Sequence, residues 1–212
     1  LYKVRYAFHG DTVEATVDLA EEAAEKAVGD ASVNHSGALT RDEFREIYLA
    51  VVNHVEEKAQ ATNDTMPDAV APLPSWMSLQ EVRRLTNLQV YDVKDIFTFF
   101  GRSSDNAGQL SKQRFFRCFN KLIAKAGGQD TRDQQRAGFV LEKIFNAFDT
   151  QGEGFVDFSE LASGLSILCG GNRGDKVEAA FSLFDFDGNG YITLEEMATY
   201  LHAVFRMLYE VS

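Results

Sequence analysis

Residues 185–196 read DFDGNGYITLEE. Asp185, Asp187 and Asn189 stand at alternate positions, Gly190 follows, and Glu196 closes the run. Acidic groups this close together repel, and no Lys or Arg lies within the stretch to neutralise them. A bound cation is the economical answer. The donors are all hard oxygens, which favour Ca2+ or Mg2+ over softer metals. In a twelve-residue calcium loop, side chains at positions 1, 3 and 5 wrap the ion and a glycine at position 6 allows the sharp turn. The carbonyl of position 7 adds a main-chain oxygen, and a glutamate at position 12 reaches back with both of its oxygens. Asp185, Asp187, Asn189, the Tyr191 carbonyl and Glu196 are therefore candidate ligands of Ca2+, with Thr193 acting through a water. Ile192 is the apolar residue through which such a loop joins a neighbour in a short β-bridge.

The same template recurs along the chain, as repeat architectures require. Residues 149–160, DTQGEGFVDFSE, supply Asp149, Gln151, Glu153, the Phe155 carbonyl and Glu160, with Gly154 at the turn. Gln151 is a neutral donor and Glu153 is one methylene longer than Asp, so a weaker Ca2+ site with Mg2+ competition is expected. Residues 103–114, SSDNAGQLSKQR, keep Gly108 and Leu110 but begin with Ser103 and end on Arg114. A cation at the last position opposes another cation, and this loop reads as a packing partner that has lost its metal. Residues 32–43, SVNHSGALTRDE, keep Asn34, Ser36, Gly37, Leu39 and Glu43 yet start with Ser32. Metal binding there would need a longer loop from Asp30, acting through carbonyls.

The loops need helices to hold them. Val93, Ile96, Phe97 and Phe100 lie at helical spacing, as do Phe115, Phe116, Phe119, Leu122 and Ile123. Val140, Leu141, Ile144, Phe145 and Phe148 repeat the pattern, and Leu194, Met197, Leu201, Val204, Phe205 and Leu208 complete it. These are the apolar stripes of amphipathic helices. Upstream, helices are expected at about 19–28 and 41–60. Residues 1–18 alternate apolar and polar around His9-Gly10-Asp11, which predicts a β-hairpin. All three prolines, Pro67, Pro72 and Pro74, fall in one stretch that ends near Trp76, the only tryptophan. Because proline breaks helices, residues 62–78 read as a linker. The expected organisation is an N-terminal module over 1–61, this linker, and a domain over 79–212 carrying one degenerate and two Ca2+-binding units.

The 212-residue chain has a formal net charge of −11. Phosphates would be repelled, so nucleic acid is not an expected partner. No apolar run approaches the roughly 18 residues that span a membrane. Only two cysteines are present, Cys118 and Cys169, both in apolar helical stretches. A reducing, cytoplasmic setting is expected, with room for peripheral membrane association. The first residue is not Met, so a piece of a larger chain or assembly is also expected. The four histidines, His9, His35, His54 and His202, are scattered, and the GGNRG run at 170–174 lacks the spacing of a phosphate-binding loop. No catalytic constellation emerges, and an enzyme is not expected.

Taken together, LQEVRRLTNLQVYDVKDIFTFF, GFVDFSELASGLSILCGG and KVEAAFSLFDFDGNGYITLEEMATYLHAVFRML resemble the EF-hand superfamily. Over about residues 79–210 the chain is most similar to the neuronal calcium sensor group, which includes recoverin and the potassium-channel-interacting proteins. The fold implied is mainly α, built of EF-hand helix–loop–helix pairs with short β-bridges between loops; the hairpin read over 1–18 and the proline linker lie outside that family's pattern. The resemblance implies a Ca2+ sensor that offers an apolar groove to an amphipathic helix of a protein target. A constitutive structural or regulatory segment, with Ca2+ holding the fold, is the alternative. Phe outnumbers Met by seventeen to four, which favours a shaped groove over an adaptable one. Two pairings of the loops stay open. In one, 32–43 joins 103–114 and 149–160 joins 185–196. In the other, 103–114 joins 149–160, as the resemblance implies, and 185–196 lacks a partner unless a longer or second chain supplies one.

Overall fold

In a computed structural model, residues 12–31, 37–61, 78–125 and 130–211 are described. The first is α1 (Thr12–Ala31), followed by β1 (Ala38–Thr40) and α2 (Arg41–Ala61). After the proline-bearing stretch come α3 (Leu79–Thr86), α4 (Val93–Gly101), β2 (Gln109–Ser111) and α5 (Lys112–Lys125). Then follow α6 (Thr131–Phe148), β3 (Phe155–Asp157) and α7 (Phe158–Ser166). The last unit is α8 (Arg173–Phe184), β4 (Tyr191–Thr193) and α9 (Leu194–Arg206), ending in a π-turn at Met207–Val211. The chain is mainly α with short antiparallel strand pairs between loops.

Local chemistry sets the helix starts. Ser78, Asp92, Asp130 and Asn172 each accept a backbone N–H from the first turn of the helix they precede. Such caps satisfy amides that have no partner inside the helix.

The expected hairpin is corrected in its second arm. Residues 12–18 are helical and α1 starts at Thr12, well before the predicted start at 19. The alternation of Val13, Ala15 and Val17 is short, whereas the run that follows is rich in Ala and Glu, both strong helix formers. Ala20, Ala24 and Val28 then recur at helical spacing and are buried as α1 packs along α9. The first arm, with the linker prolines and Trp76, lies outside the described residues.

The two strand pairs decide the architecture. β2 runs antiparallel to β3, with Leu110 opposite Val156. β1 runs antiparallel to β4, with Leu39 opposite Ile192. The unit around 103–114 thus joins the one around 149–160, and the partner of 185–196 is the first unit of the same chain. Neither combination left open by the sequence included this second pairing.

Each pair has its own aromatic centre. Phe44 meets Tyr48, Phe181 and Tyr200 at ring separations of 6.0, 5.7 and 5.5 Å, and Phe184 meets Tyr200 at 5.2 Å. These rings come from α2, α8 and α9, so they lock the first unit to the last. In the other pair Phe115 contacts Phe119 at 4.8 Å and Phe145 at 5.3 Å, while Phe100 sits 5.1 Å from Phe119. Edge-on and tilted ring pairs of this kind add to the burial of apolar area. Contacts between α7 and α9 weld the two pairs into one continuous core. The Tyr200 phenol is buried without a hydrogen-bond partner, and burial pushes both it and the Tyr48 phenol well above the ordinary phenol range.

Candidate metal centres

Gly37, Gly108, Gly154 and Gly190 occupy the same place in the four loops and share φ values of 73°, 78°, 81° and 83°. L-residues with a Cβ rarely adopt this left-handed conformation. It turns the chain so that the next residues enter the strand.

In the 185–196 loop Asp185 Oδ2 accepts the Gly190 N–H at 3.0 Å, across the turn. Its other oxygen, Oδ1, is buried and has no partner. Asp187 Oδ1 accepts the Asn189 N–H at 3.0 Å, and Asn189 Oδ1 accepts the Tyr191 N–H at 2.8 Å. Glu196 is buried, and its Oε1 accepts the N–H of Phe186 at 3.0 Å, ten residues back. Its Oε2 accepts both the N–H and the hydroxyl of Thr193, at 2.8 and 2.9 Å, completing a capping box on α9. The loop's first and last carboxylates are therefore both drawn into the turn.

The 149–160 loop repeats half of this. Asp149 Oδ1 accepts the Glu153 N–H at 2.9 Å and its Oδ2 accepts the Gly154 N–H at 3.0 Å. Glu160 behaves differently. Position 9 is Asp157 rather than Thr, and Asp157 itself caps α7 by accepting the N–H groups of Ser159 and Glu160. A carboxylate has no proton to donate to Glu160 and repels it. Glu160 instead accepts a hydrogen bond from Arg206 Nη1 at 3.0 Å.

The remaining loops carry other closures. In 103–114, Arg114 Nη1 donates to the Ser103 carbonyl at 3.3 Å, joining position 12 to position 1 with a guanidinium. Asp105 Oδ1 accepts the Ala107 and Gln109 N–H groups, both at 2.9 Å. In the first unit Glu43 Oε2 accepts the Thr40 N–H and hydroxyl at 2.7 and 2.8 Å, the same cap that Thr193 and Glu196 make.

Among the described residues, no three carboxylate, imidazole or thiol side chains converge closely enough to hold a metal as placed. The loop carboxylates bond the loops' own amides, and Glu160 is engaged outside its loop. The donor set of 185–196 nevertheless fits a hard divalent cation. An unpartnered, buried carboxylate oxygen on Asp185 costs free energy that a cation would relieve.

A family model for the EF hand domain matches residues 176–204, and a second EF hand model matches 141–166. Two EF hands lie within the chain. A recoverin family protein from Dictyostelium discoideum is 32% identical to it over 101 residues. That match covers 47% of this chain and 43% of the relative, less than half of either. No solved structure matches the chain. The likeness is thus to an EF-hand protein of the neuronal calcium sensor type, and EF hands imply calcium binding.

Cys118 and Cys169 are buried free thiols, and burial pushes Cys169 up to about 12, as expected of packing groups rather than nucleophiles. The sequence reading missed Arg206, which looks like an ordinary basic residue near a helix C-terminus. The structure half-buries His202, with Nε2 enclosed and unpartnered. His54 lies on α2, while His9 and His35 are outside the described residues.

Proposed function

We propose that the chain is a Ca2+-responsive interaction module with two working EF hands. Asp185, Asp187, Asn189, Glu196 and the Tyr191 carbonyl would hold one Ca2+. Asp149, Gln151, Glu153, Glu160 and the Phe155 carbonyl would hold a second, with Mg2+ as a competitor. The observation that carries this reading is the enclosed, unpartnered Asp185 Oδ1 facing a loop already closed by Glu196. The bound ion supplies concentrated positive charge that offsets the repulsion among these groups.

The chain's residues do the rest. Glu196 links the loop to the first turn of α9, so any shift of its carboxylate rotates that helix. The Leu39–Ile192 pair passes the movement to the first hand. Phe44, Tyr48, Phe181, Phe184 and Tyr200 are buried between those hands and are the apolar surface that such a rotation would offer. A protein segment presenting an amphipathic helix is the partner such a groove suits. The role is one of binding and signalling rather than catalysis. The two enclosed thiols support a reducing compartment. Among the described residues no helix is long and apolar enough to cross a membrane.

Calorimetric Ca2+ titration of the wild type beside Glu196→Gln and Glu160→Gln tests this. The expected result is two sites, with the tighter one lost in Glu196→Gln. An unchanged isotherm in that variant refutes the ligand assignment. Dye-detected apolar surface, equal with and without Ca2+, would leave a metal that holds the fold without switching it.

A further inference from the structure

Position 12 is Glu in three of the hands; Glu43 and Glu196 are each held by the threonine of their own loop, and the third hand's Glu160 is the one with consequences elsewhere. Glu160 projects away from its loop to the far end of α9, where Arg206 Nη1 stands 3.0 Å from its Oε2. The Arg206 side chain is only 8% exposed, and its Nε is buried with no partner. Among the described residues Glu160 is the carboxylate that neutralises it. Glu160, at 38% exposure, is solvated without Arg206, whereas Arg206 without Glu160 is a buried charge left uncompensated.

A position-12 glutamate has to turn both oxygens toward its own loop to complete an EF-hand site. It cannot do so while one of them accepts from a guanidinium, and two cations sharing one carboxylate repel each other. We propose that Arg206 is a built-in competitor for calcium in the 149–160 hand, and that surrender of Glu160 to the loop releases the end of α9. This rests on the reading that 149–160 binds Ca2+.

The neighbourhood says what would move. Arg206 is the last residue of α9 and leads directly into the π-turn, which packs on α6, the entering helix of the same hand. Met207 and Val211 are fully buried there. Met207 also sits against α7 beside Gly164, where an added Cβ would come within 3.2 Å of its Cε. Once Glu160 turns away, Arg206 must reach water, and the turn that begins at Met207 goes with it. Calcium in the third hand would thereby loosen the segment lying against that hand's own two helices. The fourth hand has no such device, because Thr193 keeps Glu196 in its loop.

The test uses the full chain carrying Glu196→Gln, which silences the fourth hand, with and without Arg206→Met. Titration with Ca2+ alone is expected to show binding at the third hand tightened about tenfold by Arg206→Met, with Arg206→Lys in between. A merely structural role for Arg206 predicts weaker binding instead. An affinity within twofold in a variant whose circular dichroism is native overturns the proposal. Uptake that is absent from both proteins, and no different after Glu160→Gln, overturns the calcium reading of this loop and the proposal with it. Hydrogen exchange on the wild-type chain needs no variant to fold. Saturating Ca2+ is expected to speed exchange of the Met207–Val211 amides at least fivefold, and unchanged protection there refutes the coupling.

Discussion

Leu39 faces Ile192 across an antiparallel strand pair, so the first loop of the chain braces the last. Both side chains are fully buried. The pair ties the proposed calcium loop at 185–196 to a hand that carries no acid at its own first position. Leu39→Ala should therefore act at a distance in sequence. It is expected to destabilise the fold by about 2–4 kcal/mol through the cavity it leaves, measured by denaturant unfolding. It should also weaken Ca2+ binding at 185–196 several-fold in calorimetry. Normal affinity in a destabilised but folded variant would mean the strand pair does not support the loop.

Thr193 holds Glu196 in place by donating its hydroxyl to Oε2 at 2.9 Å while accepting the Glu196 N–H at 3.3 Å. Thr193→Ala is expected to cost about 1 kcal/mol in the metal-free protein, the usual worth of an N-cap. Thr193→Ser keeps the hydroxyl and should restore most of it. Thermal unfolding without calcium reads both, and equal melting points for Ala and Ser would dismiss the cap's contribution.

His202 makes the fold acid-sensitive. Burial, reinforced by the positive charge of Arg206, lowers it to about 4 from the ordinary 6.5. The unfolded chain therefore binds a proton that the folded chain refuses in the interval from about pH 6.5 down to about 4. Stability falls with pH across that window and this contribution levels off below it. For a half-exposed ring the loss is on the order of 1–2 kcal/mol. Chemical denaturation at several pH values should show this slope, reduced in His202→Gln. The same slope in the variant would assign it to other groups.

Gly170 lies where the turn after α7 meets the segment before α4. Its N–H donates to the Tyr91 carbonyl at 2.9 Å, and Asp92 bridges to it in parallel. A Cβ built there would stand 2.1 Å from the Gln89 carbonyl oxygen, a backbone atom with no easy retreat. Gly170→Ala is expected to destabilise by about 3 kcal/mol or more, as forced overpacking does. Gly138→Ala has no atom within 4 Å of the new Cβ and should be neutral or slightly stabilising. Similar unfolding midpoints for both variants would discount the close approach.

What could be read from the amino acids was whatever is local. Asp185, Asp187, Asn189, Gly190 and Glu196 fall within twelve consecutive residues, and a loop's oxygens converge through its own turn, so spacing alone announces the candidate centre. The degenerate ends of 103–114 were equally plain in Ser103 and Arg114. The helices were legible for the same reason, since an apolar stripe repeats every turn. The start of α1 was not, because a short alternation resembles a strand until burial against α9 settles it. Nor could the chain declare that Leu39 meets Ile192, that Tyr48 stacks on Tyr200 at 5.9 Å, or that Glu160 turns to Arg206. Those relationships join residues far apart in the sequence. They are decided by which apolar faces bury one another best and by where a buried guanidinium finds its counter-charge, and both are properties of the packed whole.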